Sequence, residues 1–160
     1  MSGFDPASFP VWERGNPFEA FEVGQVFEHH WGRTITDGDN ALFCSATCQW
    51  NPMHLDREHA RRHGHPDVVV SPMLVLCTVV GLSVEDLSEA GGPFLGVDDC
   101  EFGVPVHPGD TLTASSVVLG TRPSSSRPDS GIVTWRTTGR NQRDEVVVEL
   151  VRSNLVTRRS

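Results

Sequence analysis

Residues 73–82 read Met-Leu-Val-Leu-Cys-Thr-Val-Val-Gly-Leu, and Thr78 is the only polar side chain among them. Ser71-Pro72 precedes the run. Serine is a favoured helix N-cap, and proline suits the first helical position, where its missing N–H has no intrahelical partner to lose. The pair predicts a helix over 71–82. A helix that is apolar on every side must be wrapped on most sides by protein. That requirement narrows the folds open to this chain of 160 residues, which is long enough for one domain with a real core.

The stretch that follows supplies a wrapper. Past Gly91-Gly92-Pro93 the character changes to strands, at 94–106, 111–121, 132–141 and 145–156. Turn signals at His107-Pro108-Gly109-Asp110, in the 123–131 loop and at Gln142-Arg143-Asp144 separate them. The period-2 alternation of the last strands predicts a sheet with one solvent face and one core face. Residues 24–35 predict another strand ahead of the helix. A curved antiparallel sheet around one long apolar helix is the α+β arrangement called a hotdog fold. We expect a single hotdog domain over 21–158, with residues 1–20 as an arm across it. The sheet leaves part of the helix and its own edges open, so a homodimer or higher homo-oligomer is expected.

Between the first strand and the central helix lies the most informative segment. Thr36 and Asp39 read as a helix start close to the capping-box pattern. The Ala-Leu-Phe-Cys-Ser-Ala-Thr-Cys run after it is apolar nearly all round and predicts a buried helix. Cys48-Gln49-Trp50-Asn51-Pro52-Met53-His54-Leu55-Asp56 follows directly. Pro52 stops a helix, so His54 is expected on a fixed, irregular segment. Trp50 reads as core or cleft wall. Asp56 reads as the cap of a short exposed helix that ends at Gly64. His59, His63 and His65 lie in or after it as solvent-facing residues or local caps.

A net charge of −8 argues against nonspecific nucleic-acid binding and against an anionic membrane surface. An anionic ligand would need a local basic patch, and Arg57, Arg61 and Arg62, or Arg122 and Arg127, are the candidates against a default of solvated faces. No stretch reaches the length of a membrane-spanning helix, and the N-terminus has no basic flank or apolar h-region. A cytoplasmic protein is expected, with buried free thiols at Cys44, Cys48, Cys77 and Cys100. Cys44 and Cys48 would share a helix face near His54, but the spacing matches no standard zinc pattern, so packing is expected and neither metal nor cofactor.

Asn51 to Asp56, the helix over 71–82, and Pro105 to Leu112 together make the sequence resemble the MaoC-type hydratase/dehydratase family, which includes (R)-specific enoyl-CoA hydratases. The resemblance covers about residues 20–158. Thr36–Phe43, Gly81–Asp86 and Ser124–Pro128 through Gly131–Thr134 are most similar to its mesaconyl-CoA hydratase (methylmalyl-CoA dehydratase) branch. The resemblance implies reversible hydration of a 2-enoyl-CoA, or dehydration of a 3-hydroxyacyl-CoA. The acyl thioester, on CoA or acyl carrier protein, would be the partner, and a branched dicarboxylic acyl group is one candidate. The family pattern Asp-x-Asn-Pro-x-His implies His54 as the acid–base group, with Asn51 shaping the turn or touching substrate. Its aspartate position is Gln49 here, and an amide cannot carry a proton at neutral pH, so Gln49 would position water or substrate. Many members place His-Gly at the start of the central helix, with the glycine N–H aimed at the thioester oxygen. This chain has Ser71-Pro72, which removes that donor and leaves the Met73 N–H or the Ser71 hydroxyl as substitutes, or else is simply a helix cap. Arg127 is the candidate partner for a phosphate or a substrate carboxylate. The two departures also leave room for a subunit that binds an acyl thioester without turnover, or that supports an active partner. A hotdog thioesterase would need an acid by the central helix, and Glu85 and Asp86 sit at its far end.

Overall fold

The computed structural model describes Ser8 and residues 14–159. Two short strands, β1 (Val26–Glu28) and β2 (Arg33–Thr34), lead into α1 (Asp37–Ala46), the single turn α2 (Pro52–Leu55) and α3 (Arg57–Arg62). The central helix α4 (Pro72–Leu82) and the turn α5 (Val84–Leu87) come next. Four strands complete the chain: β3 (Phe94–Phe102), β4 (Thr111–Pro123), β5 (Ser130–Arg140) and β6 (Val146–Thr157). The antiparallel sheet runs β1-β4-β5-β6-β3, and β2 also pairs with β4. This is the expected α+β arrangement, with the expected strand 24–35 broken in two at 29–32.

Part of the arm read over 1–20 lies outside the described residues. In its described part, Phe18–Ala20 forms a 3-10 turn and the Asn16 Nδ2 donates to the Asp86 carbonyl at 2.8 Å.

The sheet wraps α4 on one side. Val75 and Val79 are buried against Leu112, Val148 and Leu150. The approach at β5 is so close that a Cβ on Gly139 would collide with Val79. A second apolar cluster, built on Trp135, Phe21 and Leu87, fills the other end of the sheet. Beneath it Arg152 is fully buried without a carboxylate partner among the described residues. Its guanidinium donates to Ser83 Oγ at 2.9 Å and Asn154 Oδ1 at 3.2 Å and lies over the Trp135 ring. Ser83 caps the C-terminus of α4, where the helix dipole presents partial negative charge. Burial pulls the Arg152 pKa down to about 10, so it stays charged at neutral pH.

As expected, the sheet leaves part of α4 open, with Met73, Cys77 and Gly81 exposed among the described residues. Three expectations are corrected. α1 is not a buried helix: Asn40 and Cys44 are its only buried residues, and Leu42 is 72% exposed. The apolar run tells how much greasy surface the helix has, not whether this chain covers it. Of the four thiols, Cys44 is buried and Cys100 half-buried, whereas Cys48 and Cys77 are exposed, and all are free. Cys48 lies past the end of α1 at φ 57°, so it does not share a helix face with Cys44.

Candidate active site

The turn Asn51–Asp56 overhangs the start of α4, and local chemistry fixes it there. The Asn51 side chain caps α2 by accepting from the Met53 N–H at 3.0 Å. Pro52 opens the turn at the first helical position, so the segment is one turn of helix rather than irregular. Asp56 then caps α3 by accepting from the His59 N–H at 3.0 Å, as the sequence predicts. Backbone pairing ties the turn to the strand-like segment before α4, through the Val69 N–H to the Met53 carbonyl at 3.0 Å.

His54 is half-buried, and its Nδ1 lies 2.8 Å from the Val69 carbonyl. A carbonyl only accepts, so Nδ1 carries the hydrogen and Nε2 carries the lone pair. No described residue forms a hydrogen bond with Nε2. The imidazole is held at one nitrogen, and the lone pair of the other is unengaged.

Ser71 and Gln49 meet on the same side. Ser71 is the N-cap of α4 and fully buried, but its hydroxyl does not cap the helix. It lies 2.7 Å from Gln49 Oε1. Leu74 and Val75 donate to the Ser71 carbonyl. Pro72 has no N–H, so Met73 offers the first N–H of α4, and no described residue accepts from it. Val69 and Ser71 are two residues apart, at most about 7 Å in an extended chain. His54 and Gln49 therefore converge on one short segment at the positive end of the helix dipole.

Asn40 holds these parts together, a role the sequence reading missed. It is buried in α1, with Nδ2 donating to the His54 carbonyl at 2.9 Å and Oδ1 accepting the Ser71 N–H at 2.9 Å. The Cys44 Sγ, 3.7 Å away, donates to the same oxygen, and burial pushes its pKa up so that it remains a thiol. A lone amide on the inward face of an otherwise greasy helix is the signal that could have found it.

Other candidates fall elsewhere. Arg127 is exposed in the β4–β5 hairpin, whose neighbours Asp129 and Gly131 contact Arg158 and Phe18 at the end of the sheet away from His54. The structure does not bring it to the cluster. Trp50 is 67% exposed, and among the described residues it is neither core nor cleft wall. Arg57 is paired with Asp37 and Asp67, and Arg61 with Glu58, so those arginines form no convergent patch. Glu85 and Asp86 sit past the C-terminus of α4, where Asp86 contacts His29 Nδ1 at 2.6 Å. A cavity of about 610 Å³ runs along the open face of α4 past Leu74, Cys77, Thr78 and Gly81, walled by Trp31 and Arg33. Its lining does not include Met73, His54 or Gln49.

A helix-filled antiparallel sheet with a histidine turn over the helix start defines a class of protein. The fold is similar to that of a Mycobacterium tuberculosis protein with a double hotdog fold, at a TM-score of 0.79 and 25% identity, over 91% of this chain and 45% of that one. It is also similar to a MaoC domain protein dehydratase from Chloroflexus aurantiacus, at a TM-score of 0.87 and 34% identity, over 95% of this chain and 43% of that one. The class is thus the MaoC-like hotdog proteins. Residues 8–160 match the mesaconyl-CoA hydratase family model. The chain is 39% identical over 148 residues to the mesaconyl-CoA hydratase of Haloarcula hispanica, covering 92% of this chain and 41% of that protein. The chain belongs to the mesaconyl-CoA hydratase family, and it spans about two fifths of the length of the curated relatives it matches.

Proposed function

We propose that this chain catalyses the reversible addition of water to a 2-enoyl-CoA, the reverse direction being dehydration of the 3-hydroxyacyl-CoA. The observation that carries the proposal is the His54 imidazole, pinned through Nδ1 to the Val69 carbonyl with Nε2 unengaged. Nε2 takes a proton from water while the water oxygen bonds to C3 of the conjugated acyl group. The double-bond electrons move to C2 and onto the thioester oxygen. The Met73 N–H, at the start of α4, donates to that oxygen as it gains charge. The imidazolium then returns its proton to C2, which balances the addition. Of the two substitutes for the donor lost at Pro72, the Ser71 hydroxyl is already engaged by Gln49, which favours Met73. Asn51 supports the turn rather than the substrate in this reading.

The family name points to mesaconyl-CoA, a branched dicarboxylic thioester, as the first substrate to try. A second copy of the chain is the partner that would cover the open face of α4 and the apolar edge strand β3, where Phe94, Leu95 and Val97 are exposed. Four free thiols suit a reducing, cytoplasmic setting. No helix among the described residues is long and apolar enough to cross a membrane.

The test is the loss of enoyl-thioester absorbance when the protein is added to mesaconyl-CoA, crotonyl-CoA and their acyl-carrier-protein counterparts. Wild type is expected to turn over at least one, and His54→Ala to be slower by about 100-fold or more. Binding without turnover across the panel would favour a thioester-binding subunit, the reading that Pro72 and Gln49 otherwise support. Equal rates for wild type and His54→Ala would remove His54 from the mechanism.

A further inference from the structure

We propose that Gln49 donates a hydrogen bond from its side-chain amide to the thioester oxygen, supplying the second donor that Pro72 removes from the backbone. The inference rests on the thioester-hydratase reading for its chemistry, and on the geometry at Ser71 for its direction.

The direction follows from hydrogen-bond accounting. Ser71 is fully buried and its hydroxyl has one partner among the described residues, the Gln49 side chain at 2.7 Å. With Oε1 toward Ser71, the hydroxyl hydrogen has an acceptor. With the amide turned over, Nε2 would donate to Oγ and the hydroxyl hydrogen would be buried with none. The carbonyl therefore faces Ser71, and both Nε2 hydrogens are left without an acceptor among the described residues. Gln49 is only half-buried, so these hydrogens can meet a ligand. Its backbone is fixed as well, because Cys48 turns the chain at φ 57° and the Gln49 N–H donates to the Cys44 carbonyl at 2.8 Å.

Two residues that each look like a loss then account for one another. Pro72 takes away a backbone donor at the helix start, and Gln49 brings an amide donor to the residue before it. An acid at position 49 would be a base but would repel the enolate, whereas the amide donates and is never a base. An oxygen already bonded to Ser71 is not placed to receive a proton from water. The site so built has two neutral donors for the oxyanion, the Met73 N–H and the Gln49 Nε2, and one titratable group, His54.

The test uses Gln49→Glu, which keeps the shape and the acceptor for Ser71, and Gln49→Met, which keeps the length without the donor. Thermal melts confirm that each variant folds. The first readout is the absorption of a chromophoric arylacryloyl-CoA bound to the protein. Donation to the thioester oxygen shifts the band to longer wavelength, so wild type is expected to show the shift and both variants to lose most of it. The second is turnover: kcat falls roughly 100- to 1000-fold with KM changed far less, as when an oxyanion donor is removed. A shift that survives in both variants while wild type turns over would overturn the donor role and leave the hydratase reading standing. A shift lost in the variants of a protein that hydrates nothing would do the reverse. An active Gln49→Glu protein with wild-type kcat would also overturn the proposal.

Discussion

At the scale of single residues, Asn40 ties the parts of the candidate site together. One side chain satisfies the carbonyl of His54 and the N–H of Ser71, which lie in different elements. Replacing it with alanine leaves two polar backbone groups unpaired in the interior, and a loss of about 3 kcal/mol of stability is expected, measured by urea unfolding. Asn40→Asp keeps the acceptor for Ser71 but presents a carboxylate to the His54 carbonyl, so kcat is expected to fall even where the fold survives. His54 as a candidate was legible in the sequence, because Asn-Pro-x-His is a short pattern with its own turn chemistry. What it bonds to was not. Val69 lies 15 residues on from His54, and Ser71 lies 22 residues on from Gln49, so neither contact leaves a mark in local spacing.

Among the elements, α4 was legible in its start, its length, its all-round apolar character and the open face that the sheet leaves on it. Hydrophobic pattern reports the need for burial and not its provider. Taking that need for its provider produced the buried reading of α1, whose Leu42 is exposed among the described residues. The four long strands were legible because alternation and turn residues agree at each boundary, whereas the break at 29–32 was not: the His29 N–H still donates to the Ala114 carbonyl, and its ring contacts with Asp86 and Ser116 leave no mark in local pattern. The sheet-facing side of α4 makes a sharp prediction. Gly139→Val must push Val79 away, and a destabilisation of about 1–3 kcal/mol is expected by thermal or urea melts. The turn before β4 makes another. Burial pulls the Asp110 carboxyl upward, but the His107 N–H, Gln142 and Arg143 outweigh it and hold its pKa below the ordinary value. A depressed pKa contributes stability above the unfolded value that is lost as pH falls through the folded one. Stability is therefore expected to drop on acidification in that range, and less so in Asp110→Asn, when the two are followed by urea midpoint against pH.

For the whole molecule, the open face of α4 and the exposed apolar residues of β3 belong to one account. Relatives of more than twice the length, and a double hotdog among the similar structures, show that this fold is compatible with a second hotdog in the same chain. Here a second copy is the proposed equivalent. Light scattering at micromolar concentration is expected to give a dimer, and Cys77→Asp, which sets a charge on the open face, is expected to shift it toward monomer and to lower turnover with it. A wild-type monomer with full activity would show that the cavity along α4 needs no cover.

The central claim is that one imidazole performs both proton transfers at the start of α4. Its most direct measurement is kcat/KM for enoyl-thioester hydration as a function of pH. The account predicts a single acid limb of unit slope, with no second ionisation needed and the limb abolished in His54→Ala. A profile that requires two ionising groups, or one that is unchanged in His54→Ala, would contradict it.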